Sequence, residues 1–175
     1  MISFIVPTIG RPSLLATLAS IETYPGDEII VIGNVKEGQN GRVRYVFSLP
    51  GGDWGHTERN KATPMARGQY IAHIDDDDIY APGTRELMEE SIRKHPGRPS
   101  IFRMRFPNGI TLWSEPTIRC GNLGTPCFLI PNRPTMMGTW GSFVGGDCHF
   151  LETSKWKPEE YVWRPEIIAL LGHNT

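Results

Sequence analysis

The sequence lacks the features that mark membrane-spanning, secreted and metal-finger proteins. Its longest apolar runs are strand-sized and are interrupted by Pro, Gly or Asp, well short of the ~20 residues that a transmembrane helix needs. Three cysteines are present, Cys120, Cys127 and Cys148, and neither their spacing nor the N-terminal residues indicate a metal finger or a secretory signal peptide. We therefore expect a cytoplasmic protein without a membrane span.

The sequence also has almost no net charge, since 18 Lys and Arg residues oppose 19 Asp and Glu residues. An overall positive field that would attract nucleic acid or acidic lipid is therefore excluded, and an anionic ligand must be bound at a local site. Hydrophobic residues make up 39% of the 175 residues, which excludes a disordered chain and fits one domain with its own core. The function must accordingly be sought in local motifs.

Short apolar segments alternate with helical patterns in the first half of the chain. Residues 28–32 are apolar without alternation, which is typical of a strand covered on both faces of a parallel sheet. The patterns predict strands at 2–6, 28–32, 42–47 and 69–74, and helices at 14–23, 58–67 and 85–94, the second of them kinked by Pro64 or starting late. We predict an α/β fold with a Rossmann-like, mostly parallel central sheet flanked by helices.

The second half of the chain is less regular. A Gly- and aromatic-rich stretch at 137–150 predicts loops, and residues 159–171 are a weaker helical candidate that contains Pro165. Strand candidates that predict antiparallel additions to the sheet lie at 100–106, 111–113 and 127–130.

Four consecutive aspartates, Asp75 to Asp78, directly follow the strand predicted at 69–74. In open α/β sheets, ligands bind at the carboxyl ends of the strands. Adjacent carboxylates repel one another, so a cation should compensate them, and their hard oxygen donors suit Mn²⁺ or Mg²⁺ with coordination positions left free for a diphosphate. The alternative is a solvated acidic loop, but the position after a buried strand favours the metal.

Three segments resemble the GT-A glycosyltransferases, in particular the large inverting family 2. Residues 69–83 are similar to the segment around that family's DXD motif, residues 3–11 to its first strand and donor loop, and residues 58–60 with 66–68 to its usual approach to the DXD. The resemblance implies a single GT-A domain over 1–175, with a nucleotide-sugar-binding half at 1–98 and an acceptor-binding half at 99–175. It further implies metal-dependent transfer of a sugar, with a UDP-sugar as the favoured donor, to an acceptor hydroxyl.

The resemblance also implies roles for individual residues of the donor site. Asp77 would be the direct ligand of a Mn²⁺ or Mg²⁺ ion, and Asp75 would contact the ribose or assist the metal. Arg59 would approach the diphosphate or the nucleotide, with an exposed helix arginine as the alternative. The other residues implied in nucleotide-sugar binding are Pro7, Thr8, Arg11 and Asp76.

One position of the donor site departs from the family pattern. After the second strand the family usually has an acidic residue that reads the base, whereas this sequence continues Gly33-Asn34. Asn34 would still hydrogen-bond a base edge, but an amide both donates and accepts, so the identity of the base stays open.

The segment from Gly145 to Phe150 resembles the family's acidic motif that holds the catalytic base. Inverting transfer needs a base that removes the proton of the acceptor hydroxyl, and Asp147 occupies that position, with Gly146 where a second acid often stands. An aspartate that caps a helical turn is the alternative. The implied inversion depends on this assignment.

Three further residues are candidates on the acceptor side and in the metal shell. Trp140 would pack on an acceptor sugar, or else lie in the core, and His149 would contact phosphate or acceptor, or else pack. His173 would complete the metal shell, as a late histidine does in several GT-A enzymes, although a histidine at such a position usually has no role.

Two other functions stay open at the level of sequence. A nucleotidyltransferase or nucleotide-sugar pyrophosphorylase also places acids on a nucleotide-binding sheet, but its Gly-rich, Lys-bearing loop after the first strand is missing here. A non-catalytic nucleotide- or carbohydrate-binding module would keep the DXD motif without a base in reach. The sequence identifies neither the sugar nor the acceptor, and it leaves a homo-oligomer open, because a second copy would complete the acceptor cleft of so small a transferase.

Overall fold

Ten strands and four α-helices make up the part of the chain that this computed structural model describes, residues 1–172. The strands are β1 (Ile2–Thr8), β2 (Glu28–Gly33), β3 (Gly38–Asn40), β4 (Val43–Phe47), β5 (Tyr70–His73), β6 (Ile79–Tyr80), β7 (Ser100–Arg105), β8 (Thr111–Leu112), β9 (Phe128–Pro131) and β10 (Val162–Leu170). The helices are α1 (Leu14–Ser20), α2 (His56–Ala62), α3 (Thr84–Lys94) and α4 (Gly146–Thr153), and short 3₁₀ turns lie at Thr63–Met65, Thr125–Cys127 and Pro158–Glu160.

Four strands of the first half form a parallel unit, and the short β3 pairs antiparallel with β4 at its edge. The strand β1 lies between β2 and β5 and is parallel to both, and β4 extends the parallel arrangement beyond β2. Every residue of β1 is buried, as expected of a strand that is covered on both faces. The predicted Rossmann-like, mostly parallel central sheet is therefore confirmed.

The second half adds strands to the same sheet. The strand β9 is antiparallel to both β5 and β7, β8 is antiparallel to β7, and β6 is antiparallel to β10, while β10 itself runs parallel to β7. The predicted antiparallel additions are confirmed. Because β9 pairs directly with β5, the sheet is continuous from the first half of the chain to the second.

A buried ion pair ties α3 to the start of the parallel unit. The Asp27 carboxylate accepts hydrogen bonds from the backbone N–H groups of Ile2 (2.7 Å) and Tyr24 (2.8 Å) and from Nε of Arg85 (2.6 Å). Asp27 and Arg85 are 4% and 2% exposed. A buried carboxylate with this many donors holds β1, the turn before β2 and α3 in one arrangement.

The prediction of a helix at 159–171 is wrong, because residues 162–170 form the strand β10. Ile168 and Ala169 are fully buried, and the strand pairs along β7. Pro165 is exposed and lies between Trp163 and Ile167, where the register of the pair shifts. An irregular position tolerates the missing N–H of proline, and the same irregularity interrupts the alternation by which a strand is recognised.

The remaining differences from the predicted elements are smaller. The helix α2 begins at His56 and ends at Ala62, and Pro64 lies in the following 3₁₀ turn, where the sequence predicted a kink. The helix α4 forms within and beyond a stretch that was predicted as loops. No helix between residues 1 and 172 combines the length and the apolar character that crossing a bilayer requires.

Candidate active site

The loop after β1 and the acidic run after β5 meet at one edge of the sheet, because β1 and β5 are adjacent and parallel. The Thr8 hydroxyl donates to Oδ2 of Asp76 (2.6 Å), and the N–H of Ile9 donates to the same oxygen (3.3 Å). Asp76 is 5% exposed. Asp76 therefore orders the loop after β1, a role that sequence reasoning missed, and its contact with a nucleotide-sugar stays a prediction.

Arg11 lies across the acidic run. Its Nη1 is 3.2 Å from Oδ1 of Asp76 and also pairs with the Asp77 carboxylate, while the Arg11 side chain is 44% exposed. Burial raises the pKa of Asp77, and the neighbouring carboxylates of Asp75 and Asp76 raise it further, although the Arg11 charge acts in the opposite direction. One guanidinium thus neutralises only part of the negative charge gathered here.

Arg59 lies on the protein-interior side of the acidic run, away from solvent. Its side chain is fully buried and pairs with the Asp75 carboxylate. Its Nη1 donates to the backbone carbonyl of Trp54 (2.7 Å), and its guanidinium lies 5.1 Å from the centre of the Trp140 ring. The alternative of an exposed helix arginine is therefore wrong, and the side chain orients Asp75. The contact of Arg59 with a nucleotide stays a prediction.

A cavity of about 460 Å³ opens between the two loops. Its volume is in the range of small-molecule binding sites. The predicted donor-site residues on its wall are Pro7, Thr8, Arg11, Asp75, Asp76 and Asp77. Ile9 joins them from the loop after β1. Sequence reasoning missed the opposite wall, which comes from the loop between β4 and α2 and from the start of α2, with Pro50, Gly52, Asp53, Trp54, Gly55 and Glu58 as its lining residues. The Pro- and Gly-rich residues 49–52 are a local signal for a turn, but such a pattern does not indicate a ligand.

The donor set of the cavity fits a hard divalent cation. Asp75 and Asp77 supply carboxylate oxygens, with 34% and 27% of their side-chain surface exposed. Across residues 1–172, no three His, Cys, Asp or Glu side chains converge as a ready metal site. This sparse set suits Mg²⁺ or Mn²⁺, which are commonly held by one or two carboxylates together with the phosphates of a substrate. Asp75 and Asp77 are the residues that would hold the ion.

The last aspartate of the run faces the end of β10. The N–H of Gly172 donates to Oδ1 of Asp78 (2.8 Å), and burial raises the pKa of Asp78 to about 7. The end of the described chain is thus joined to the acidic run. His173 follows directly, but it lies outside the described residues, so its predicted role as a metal ligand stays a prediction.

Asp147 lies in the first turn of α4, beside α2. Burial raises the pKa of Asp147, which is opposed by the N–H of Cys148 (2.9 Å from Oδ1) and by the charges of His56 and Arg59. Asp147 is not among the residues that line the cavity. Arg59, whose charge acts on Asp147, also pairs with Asp75 of the cavity wall, and the role of Asp147 as base stays a prediction.

His56 explains why position 146 carries no side chain. Its Nδ1 donates to the carbonyl oxygen of Gly141 (2.6 Å). A Cβ at Gly146 would lie 2.3 Å from Cε1 of His56 and 2.4 Å from the Gly141 oxygen, so a second acid cannot stand beside Asp147 in this arrangement. His56 is 5% exposed, and its bond to Gly141 joins the start of α2 to the segment before α4.

Trp140 belongs to the core. It is 2% exposed and stacks on Phe150 with ring centres 4.4 Å apart. Asn60 fixes its backbone by accepting from the Trp140 N–H (3.0 Å) and donating to its carbonyl (2.8 Å). The alternative of a core residue describes its packing, and the contact of Trp140 with an acceptor sugar stays a prediction.

The two other predicted contacts keep some exposure. His149 is half-buried and packs edge-on against Phe143 at 5.1 Å. Asn34 is exposed at the end of β2, and its Nδ2 lies 3.4 Å from the carbonyl oxygen of Ile9, beside the cavity. Contacts of His149 with an acceptor and of Asn34 with a base stay predictions.

Comparisons with known proteins agree with this geometry. Three solved structures of S. aureus TarS residues 1–349 share the fold: that fragment alone (TM-score 0.71, 16% identity), in complex with UDP (0.69, 16%) and in complex with UDP-GlcNAc (0.66, 15%). Each alignment covers 97% of this chain, which spans 60%, 59% and 57% of those chains, respectively. A search of curated proteins found no significant match. The model of the family described as "Glycosyl transferase family 2" matches residues 3–139, and the chain belongs to that family.

Proposed function

We propose that this protein is a metal-dependent glycosyltransferase that moves a sugar from a nucleotide-diphosphate sugar, with UDP-sugars favoured, to an acceptor hydroxyl with inversion. The observation that carries the proposal is the meeting of Thr8 and Arg11 with Asp75, Asp76 and Asp77 on one cavity, at the carboxyl ends of two adjacent parallel strands. Membership of family 2 favours a glycosyltransferase over the nucleotidyltransferase alternative. The TarS fragment in complex with UDP and with UDP-GlcNAc supports a uridine nucleotide as the first donor to test.

The donor would lie between the loop after β1 and the loop before α2. Arg11 is the exposed cation on the wall and would pair with the diphosphate once a divalent ion occupies the carboxylates that Arg11 now contacts. Arg59 would keep Asp75 oriented from behind, and Asp76 would keep the Thr8 loop in place. The binding site is in this respect preorganised before the donor arrives.

The divalent ion fits the donor set of Asp75 and Asp77. When bound, it would offset the negative charge that develops on the departing diphosphate. Asp75 and Asp77 would hold the ion, and the diphosphate would complete its ligand set. The excess of negative charge on the cavity wall supports this role, because a single guanidinium is shared by two of the carboxylates.

Asp147 would act as the base. Its carboxylate would take the proton of the acceptor hydroxyl as that oxygen attacks the anomeric carbon on the face opposite the diphosphate, so that the bond to the leaving diphosphate breaks with inversion. Its position in the first turn of α4, close enough to feel the charges of His56 and Arg59, supports the assignment. A raised pKa suits a base, because proton affinity rises with it.

The proposal is tested with a donor screen read out by mass. The protein is incubated with Mn²⁺, UDP-GlcNAc and a mixed pool of sugar, lipid and peptide acceptors, and then with other UDP- and GDP-sugars. A glycosylated acceptor or slow release of UDP by water is the expected result. The absence of both, with UDP bound in a metal-dependent way, would favour the non-catalytic module instead.

The Asp147→Asn variant is the control for the chemical step. We expect it to bind UDP as the wild type does while product formation falls by about 10²-fold or more, since general base catalysis contributes on that order. Turnover that persists unchanged in this variant would remove Asp147 from the mechanism without touching the donor site.

A further inference from the structure

Trp54 is a large aromatic residue that is exposed to solvent. It is 65% exposed, whereas the other tryptophans, at 113, 140, 156 and 163, are buried or half-buried. Its φ of 57° places it in the left-handed region, which is costly for a residue with a bulky side chain. Such outliers persist where the surroundings fix them, and they cluster at functional sites.

The surroundings of Trp54 fix its backbone through several contacts. Arg59 Nη1 donates to the Trp54 carbonyl (2.7 Å), and the N–H of His56 donates to the Asp53 carbonyl (3.2 Å). The Asp53 carboxylate also accepts from the hydroxyl of Thr57 (2.7 Å), so this residue fastens the turn to α2. The same Arg59 holds Asp75, so the turn and the acidic run share one support.

The glycine after Trp54 packs closely against the loop after β1. Gly55 has a φ of 78°, and a Cβ there would lie 2.7 Å from Cβ of Pro7, on the opposite side of the cavity. The turn is therefore pressed against the loop after β1, and Trp54 is presented at the wall of the cavity.

The lining of the cavity divides by chemistry. Arg11 and the aspartates supply the charged portion, whereas Pro7, Ile9 and Pro50 supply an apolar portion together with Trp54. The two other acids of the wall are already engaged, since Asp53 accepts from Thr57 and Glu58 accepts from the N–H of Gly51 (3.0 Å). A ligand with a flat apolar face and a diphosphate matches both portions.

We propose that Trp54 stacks on the base of the bound nucleotide and so contributes specificity for a nucleoside diphosphate over a bare diphosphate. The inference rests on the proposed function. Stacking of an aromatic side chain on a base is tolerant of base identity, because every base has a π-face. Trp54 therefore accounts for affinity for a base in a site where Asn34, rather than an acid, stands at the end of β2.

The test compares UDP with inorganic pyrophosphate by calorimetric titration in Mn²⁺. Trp54→Ala should weaken UDP binding by about tenfold or more, by the usual magnitude of base stacking, and Trp54→Phe should recover most of the loss. Pyrophosphate should bind the wild type and both variants alike. The matched control is Leu49→Ala, which removes an exposed apolar side chain of the same loop that does not line the cavity and should leave UDP binding unchanged.

A second variant separates binding from folding. Trp54→Gly removes the ring but accepts a positive φ, so its urea unfolding midpoint should equal or exceed that of the wild type while UDP binding still falls. Equal loss of UDP and pyrophosphate affinity would overturn the proposal, as would UDP affinity that is unchanged while UDP-GlcNAc affinity alone falls. A wild type that binds UDP no better than pyrophosphate would overturn the stacking role, and one that binds neither would overturn the proposed function itself.

Discussion

At the scale of single residues, protonation would disable both the candidate base and the acidic run. Asp147 must be ionised to accept a proton, and burial raises the pKa of its carboxyl group above the ordinary value of an aspartate. The run at 75–78 must be ionised to hold a cation. Activity would therefore be lost at low pH through protonation of Asp147 or of the acidic run, and measurements on variants distinguish these two causes.

We expect the rate of product formation to fall on the acid side at a higher pH than an exposed aspartate would give. The reason is that a base with a raised pKa loses its ionised form earlier as the pH decreases. The measurement is kcat under saturating UDP-sugar and Mn²⁺ from about pH 4 to 8, a span that brackets the ordinary aspartate value. An acid limb that survives unchanged in Asp147→Asn would assign the titration to another group.

We expect Arg11→Gln to bind Mn²⁺ alone several-fold more tightly than the wild type. Arg11 pairs with Asp77 and Asp76, so its guanidinium competes with a metal ion for the same carboxylates and repels it. Calorimetric titration of Mn²⁺ without nucleotide measures the effect. Weaker binding of Mn²⁺ by the variant would mean that Arg11 does not occupy the position of the cation.

The sequence located the acidic run and the loop after β1, because both are local patterns at strand ends. It placed Arg59 and Trp140 in the ligand site, and both proved to be buried, with Arg59 holding Asp75 and Trp140 stacked on Phe150. Their positions are decided by packing between α2 and the segment before α4. The hydrogen bond from Asn60 to Trp140, for example, joins residues that are 80 positions apart along the chain. Contacts at such a separation leave no local pattern.

At the scale of elements, the buried Asp27–Arg85 pair connects the helix α3 to the parallel sheet. Burial acts to raise the pKa of Asp27, but the hydrogen bonds from Arg85, Tyr24 and Ile2 outweigh it, so the pKa of Asp27 is lowered. The stability that the ionised carboxylate supplies is present above its unfolded pKa and is lost as the pH falls through the lowered folded value.

We expect Asp27→Ala to lower the free energy of unfolding by about 3–5 kcal/mol, because it leaves the buried guanidinium of Arg85 without its main partner. Urea unfolding at pH 7 measures the change. The control is Glu89→Ala, which removes an exposed partner of the same guanidinium (2.9 Å) and should cost no more than about 1 kcal/mol. Equal effects of the two variants would contradict the assignment of the stabilising contact to Asp27.

Elements with a clear period were predicted and irregular ones were not. The strand β1, with seven buried residues, and the helix α3 follow their patterns closely. The strand β10 was taken for a helix because Pro165 and the register shift interrupt its alternation, and its pairing with β7 bridges more than fifty residues. This segment forms a strand because it can pair with β7, and that pairing is not evident from the local sequence.

At the scale of the whole molecule, the cavity is built from the loops after β1, β4 and β5, all within the half of the chain that the sequence associated with the donor. Residues 99–172 supply α4 with Asp147 and the strands β7 to β10, and their role in binding an acceptor stays a prediction. The TarS fragments are longer than this chain, so a part of their length has no counterpart here.

We expect Mn²⁺ and UDP together to raise the thermal midpoint of the whole protein by about 5–10 °C at a UDP concentration of about 100 Kd. Binding to the folded state alone produces this shift, so Asp147→Asn should show it in full, because that variant keeps the donor site. Differential scanning calorimetry is the measurement. The same shift with Mn²⁺ omitted would show that the nucleotide needs no metal.

The most direct test of the central claim is a calorimetric titration of UDP, with and without Mn²⁺, into the wild type and into Asp77→Ala. We expect tight binding by the wild type in Mn²⁺, weak binding without it, and the loss of this difference in Asp77→Ala, whose circular dichroism and unfolding midpoint should stay close to those of the wild type. Retained metal-dependent affinity for UDP in Asp77→Ala would rule out Asp77 as the residue that holds the ion.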